Sequence, residues 1–127
     1  MCGIVGVYNL NGSPVPSPIL KRMTDIISHR GPDGDGYYIH GPVGLGHRRL
    51  AIIDLSQAGL QPMGNATGDI IISYNGEIYN YKTLKDELIQ QGMQFQTNSD
   101  TEVIMAGYAF WGIDCLNRLN GIFSLAL

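Results

Sequence analysis

The order in which short apolar runs alternate with helical faces limits this chain to a fold of mixed sheets and helices. Ile4 to Tyr8 is a strand-like run that gives way to Asn11-Gly12 and the prolines 14, 16 and 18. Ser17 can cap a helix with Pro18 in its first turn; Leu20, Met23, Ile26 and Ile27 then recur on one face, and the helix is predicted to end near His29. Arg30 to Gly36 is turn chemistry, and residues 37–40 and 43–53 read as two strands that pair across Gly41-Pro42. Residues 55–68 read as a long loop and Ile70 to Tyr74 as a strand ending at Asn75-Gly76. Asn80 and Gly92 bracket a second helix carrying Leu84, Leu88 and Ile89, with a short strand expected at Phe95. Ser99 and Glu102 have the spacing of a capping box, opening a third helix that stops at Gly112. A brief helix over 115–119 and a final strand over 122–127 complete the series. Strands and helices in this order predict layered sheets and helices with antiparallel pairing, not a βαβ series.

Composition narrows the function classes. A length of 127 residues suits one domain with one core, and 44% hydrophobic against 15% charged residues is the balance of a folded protein. A net charge of -3 offers no field to attract nucleic acid or an anionic membrane. No run approaches the ~20 apolar residues of a membrane span, and the N-terminus lacks the basic and apolar regions of a signal peptide. The two cysteines, Cys2 and Cys115, lack Cys-x-x-Cys spacing and suit a reducing cytoplasm, so a soluble, unexported protein is expected.

Several residues have both a plain and a chemical reading. Cys2 is either a small buried residue opening a strand or, once Met1 is removed, a thiol on the same residue as a free α-amine. Reference pKa values near ~8 for the amine and ~8.5 for the thiol make that amine a competent base near neutral pH. Asn75-Gly76 is the dipeptide of a tight hairpin, Arg49 a strand-end cation and Asp100 an acid in the first turn of a helix. Arg30 to Asp33 reads as a structural turn or a support for the nucleophile. Asp33-x-Asp35-Gly36 starts like a calcium loop but has Leu45 where the bidentate acid is required, and His29, His40 and His47 lack metal-ligand spacing. No metal site is expected, and Cys115 reads as a core residue.

Taken together, five blocks resemble a class II glutamine amidotransferase: Met1-Cys2-Gly3-Ile4-Val5-Gly6, His29-Arg30-Gly31-Pro32-Asp33, His47 through Asp54, Asn75-Gly76-Glu77-Ile78-Tyr79-Asn80 and Ser99-Asp100-Thr101-Glu102. They span nearly the whole chain. Within that family the chain is most similar to the asparagine synthetase branch, since the sugar-phosphate branch favours tryptophan where Leu50 follows Arg49. The resemblance implies an α+β, N-terminal nucleophile hydrolase fold in which antiparallel sheets are layered with helices as αββα. It implies that Cys2 attacks the glutamine side-chain amide while the Asn75 amide and Gly76 N–H hold the oxyanion, releasing glutamate and ammonia. It further implies that Arg49 takes the substrate carboxylate and Asp100 its ammonium, with Glu77, Leu50, Ile52 and Ile53 lining the same pocket.

In the complete family the ammonia passes to a synthetase domain that uses ATP and Mg to activate a carboxylate. No Ser-Gly-Gly-x-Asp-Ser loop or Walker motif stands in this chain, so no cofactor is expected here. Ending directly on an apolar strand, residues 1–127 are expected to be a partial domain whose last strand exposes an edge and favours homo-oligomers or aggregation. Alternative readings are the glutaminase domain of a related amidotransferase, an inactive interaction module, or a fragment.

Overall fold

Steric demand on the strand that follows Pro42 organises the first half of the molecule. The structure is a computed structural model that describes residues 2–51 and 59–127. The expectations for Met1, Ile52 and Ile53, and for the first part of the loop after Asp54, lie outside the described residues. β1 (Gly3–Tyr8), β2 (Gly34–His40) and β3 (Val43–Arg49) form an antiparallel sheet in the order β1-β3-β2, with α1 (Ser17–Ile26) on one face. As the central strand, β3 is covered on both sides. Its glycines 44 and 46 face α1: a Cβ on Gly44 would meet Val15 at 2.9 Å, and one on Gly46 would stand 2.2 Å from Thr24 Oγ1. The alternate positions, Leu45, His47 and Arg49, point the other way and are buried.

That close approach decides which face of α1 turns inward. Leu20 and Thr24 are buried, while Met23 and Ile26 of the expected stripe are exposed. A glycine-lined strand brings the helix too near for Met23, and Thr24 fits, its hydroxyl donating to Leu20 O at 2.8 Å. Ser17 does not cap α1: Pro16 is the N-cap, without a side-chain bond. The helix stops at Ile26 and a 3-10 turn, Ser28–Arg30, follows.

A second antiparallel sheet runs in the order β4-β5-β6, with β4 (Met63–Gly64), β5 (Ile71–Ile78) and β6 (Gly121–Ala126). One face of β5 meets β1 and β3; the other packs under α2 (Tyr81–Gln90) and α3 (Asp100–Trp111). The layers are therefore helix, sheet, sheet, helix, as expected. Ile72, Tyr74 and Ile78 of β5 join Leu84, Leu88, Val103 and Ile104 of the helices in the main core. Each such apolar side chain contributes about 1.5–3 kcal/mol by leaving water.

Four expectations need correction. Asn75-Gly76 makes no hairpin: both lie within β5, paired with Ser124 and Phe123. Gly76 is required there by crowding, since a Cβ would stand 2.4 Å from Ile122 O. Phe95 is in no strand and instead packs against the main core. Asn80 stands at the start of α2 without capping it, because its side chain bridges Arg118 O and Asn120 N at 2.9 Å each. Ser99 caps α3 by accepting from Glu102 N, but the box is not reciprocal: the Glu102 carboxylate takes Gln96 N and Thr97 N. Ile122 and Phe123 of β6 and Leu127 after it are exposed, while Leu125 packs on the core.

The contact between Gly46 and Thr24 yields a stability test. Gly46→Ala is expected to destabilise the fold by ~1–3 kcal/mol through overpacking. Because Thr24→Ala removes the hydroxyl it would strike, the double variant should lose less than the two single losses summed. Urea unfolding measures both quantities, and strictly additive losses would contradict the packing described.

Candidate active site

Past the Met63↔Ile72 pair the edge of β5 has no neighbouring strand among the described residues. In an antiparallel ladder alternate residues direct N–H and C=O to the same side. Tyr79 N donates to Asn120 O, so odd-numbered residues here face the β6 side and even-numbered ones the open edge. Side chains meet that edge in place of a strand. Tyr74 N donates to Gln61 Oε1 at 2.6 Å, Tyr74 O lies 3.1 Å from His47 Nε2, and Ile78 N donates to Asp100 Oδ2 at 3.1 Å. Between them, by the same alternation, Gly76 directs its N–H toward a cavity of about 180 Å³.

The cavity is bordered by Cys2, Arg49, Leu50, Asn75, Gly76, Glu77 and Asp100 together with His47, Ala51, Gly59, Gln61, Tyr74, Ser99 and Thr101. Every described residue expected in the site thus converges on one space. Ile52 and Ile53 lie outside the described residues. Cys2 enters β1 beside the end of β3, where Leu50 N–H donates to its sulfur at 3.3 Å and Leu50 O stands 3.6 Å away. Arg30 Nε donates to Cys2 O at 3.2 Å. Asp33 accepts from Ala51 N at 2.9 Å and its own N–H reaches Arg49 O at 3.0 Å. The Arg30 to Asp33 turn is therefore both a structural turn and a clamp on the thiol's surroundings. Gly31 permits this, because a Cβ there would fall 2.4 Å from the Arg48 carbonyl carbon.

Asp100 is 4% exposed in the first turn of α3, and its Oδ2 also accepts from Tyr74 Oη at 2.7 Å. Burial first, and then this carboxylate, push the Tyr74 phenol above its ordinary pKa, so it remains a donor. Glu77 is exposed at the cavity rim and Arg49 is buried at the end of β3. Asn75 Oδ1 is buried without a hydrogen-bond partner among the described residues. His47 is 1% exposed, and burial lowers its pKa to about 4, leaving the ring neutral. Sequence reasoning missed His47, Gln61 and Tyr74 as parts of this site. No local signal marks them, since each acts through a partner at least 13 positions away. Among the described residues no group of three His, Cys, Asp or Glu side chains could hold a metal, and no helix is long and apolar enough to cross a membrane.

The sequence matches the glutamine amidotransferase domain family over residues 1–127. The chain belongs to that family. It is 42% identical to asparagine synthetase (glutamine-hydrolyzing) 1 of Bacillus subtilis, over 100% of this chain and 20% of that protein. It is 40% identical to a putative asparagine synthetase (glutamine-hydrolyzing) 2 of Methanocaldococcus jannaschii, over 100% of this chain and 27% of that one. The chain thus spans about a fifth to a quarter of the length of these relatives. Its fold is similar to glutamine phosphoribosylpyrophosphate amidotransferase of B. subtilis, with a TM-score of 0.75 and 22% identity over 98% of this chain and 34% of that one. The amidotransferase domain accordingly shares the fold of that enzyme, with the layered α+β arrangement of antiparallel sheets and helices expected of it.

A buried neutral histidine makes the amidotransferase domain sensitive to acid. Below about pH 6.5 the unfolded chain binds a proton that folded His47 refuses until about pH 4. Stability is therefore lost across that window as pH falls, at up to ~1.4 kcal/mol per pH unit. Denaturation at pH 7 and pH 5 should show His47→Gln losing ~1–2 kcal/mol less than the parent over that step. Equal losses would contradict the assignment.

Proposed function

We propose that this domain hydrolyses the side-chain amide of glutamine, with Cys2 as the nucleophile and its own α-amine, freed by removal of Met1, as the base. The observation that carries the reading is the juxtaposition of the Cys2 sulfur and the Gly76 N–H edge at one cavity. The amine takes the thiol proton and the thiolate attacks the amide carbon. Asn75 and Gly76 donate to the oxygen that becomes negative, where each donor is worth ~3–4 kcal/mol. The tetrahedral adduct collapses with the nitrogen protonated and leaving as ammonia. Water then hydrolyses the γ-glutamyl thioester, returning the thiol and glutamate.

In this reading Arg49 binds the α-carboxylate in a charge-assisted pair and Asp100 the α-ammonium. Asp100 Oδ2 is already held by Tyr74 and Ile78, which fixes the carboxyl group and presents Oδ1 to the substrate. Glu77 at the rim adds a second negative charge near the ammonium. The relatives' names support asparagine synthesis as the use of the ammonia; the family resemblance adds a synthetase domain that would activate a carboxylate with ATP and Mg. We assign no nucleotide site to this chain, whose sequence holds no Ser-Gly-Gly-x-Asp-Ser loop or Walker motif. With two thiols outside Cys-x-x-Cys spacing, we place the protein in the cytoplasm.

The base can act only as a free amine. Mass spectrometry paired with glutamate release should show turnover confined to protein that begins at Cys2, because a retained Met1 makes the nitrogen an amide. Equal turnover by the two forms would overturn the mechanism. In processed protein, Arg49→Ala and Asp100→Asn should each raise KM about tenfold or more, the scale of a lost charge-assisted hydrogen bond.

A further inference from the structure

The mechanism above leaves His47 without a part, although it borders the cavity and is almost wholly buried. Its Nε2 is 3.1 Å from Tyr74 O, a group that can only accept, so Nε2 carries the proton and Nδ1 is a bare acceptor. That Nδ1 is buried with no hydrogen-bond partner among the described residues. An unpaired buried acceptor destabilises the fold and calls for an explanation, and an apolar side chain would avoid it.

Tyr74 C=O belongs to the same peptide group as Asn75 N–H. Asn75 Oδ1 has no partner among the described residues either, so nothing tethers that oxygen and the strand backbone must set the side chain's aim. On this edge the β4 pairing reaches no further than Met63↔Ile72, and among the described residues Gln61 and His47 hold the Tyr74 backbone where a strand would otherwise have done so, while Asn75 pairs with Ser124 of β6 on the other side. The next N–H along the same edge is that of Gly76. The Tyr74–Asn75 peptide and the Gly76 N–H are joined through the Asn75 Cα, so loosening that peptide shifts the Asn75 side chain directly and the Gly76 N–H through it.

We propose that His47 is a positioning residue for amide hydrolysis, whose Nε2–H fixes the Tyr74–Asn75 peptide and thereby aims the Asn75 amide and the Gly76 N–H at the reacting carbonyl oxygen. This rests on the glutaminase reading above. Because those donors engage most strongly in the transition state, their misalignment lowers kcat and leaves ground-state binding by Arg49 and Asp100 in place. A tie that only joined the two sheets would affect stability without this division.

The test compares His47→Ala and His47→Gln with the parent, all processed to Cys2, by glutamate release and thermal unfolding. A glutamine side chain can carry an N–H donor toward the Tyr74 carbonyl. The Ala variant should lose roughly 10- to 100-fold in kcat with KM within about threefold of the parent, and the Gln variant should recover most of the turnover. If the Ala variant does not fold, His47→Asn, whose amide is too short to reach Tyr74, takes its place with the same expected loss. Equal kcat for a folded Ala or Asn variant and the parent would overturn the proposal. So would a loss in a folded Gln variant as large as that in the Ala or Asn variant, or a change confined to KM. A processed parent that releases no glutamate would overturn the functional reading itself, and with it the inference that rests on it.

Discussion

An unfinished strand edge is the constraint on which the rest of this structure depends. Before Met63 no described residue pairs as a strand with β5, yet the backbone groups of Tyr74 and Ile78 are buried and require partners. Gln61, His47 and Asp100 supply them from a loop, a strand and a helix, and each is itself buried. An edge completed by side chains stops pairing at selected positions, and here that leaves the Gly76 N–H directed into a cavity. The same arrangement draws the ends of β1 and β3 and the start of α3 to one place. Cys2, Arg49 and Asp100 share a site because each stands at the end of an element that meets this edge.

Much of the layered fold was legible in the chain. The punctuation by Gly41, Gly92 and Gly112, all at positive φ, marked real turns, and the apolar spacing of Leu84 and Leu88 identified the buried face of α2. Misreadings came where tertiary contact outweighed local preference. Asn75-Gly76 has the chemistry of a hairpin, but pairing with β6 holds it extended, and the glycine serves close approach instead of a turn. Met23 looked like core until the glycines of β3 brought α1 within reach of Thr24.

The candidate site divides in the same manner. Cys2, Arg49, Asn75, Gly76, Glu77 and Asp100 were found through motif blocks, because their chemistry is tied to local sequence. Tyr74 was read only as the end of a strand, although its N–H, its carbonyl and its hydroxyl each hold a different residue. His47 was read only as one of three histidines without metal-ligand spacing. Neither role leaves a periodic or compositional trace, since both arise only when β3, β5 and α3 pack together.

Chemical trapping tests the central claim, that one thiol is singled out by its place opposite this edge. Cys115 is the natural internal control: it is 2% exposed, and burial, then the neighbouring Asp114, push its thiol up. After reaction of the processed protein with a diazo-ketone analogue of glutamine, peptide mapping should find the adduct on Cys2 alone, with labelling suppressed by excess glutamine. Labelling of Cys115 in preference to Cys2, or labelling of Cys2 that glutamine does not slow, would contradict the account.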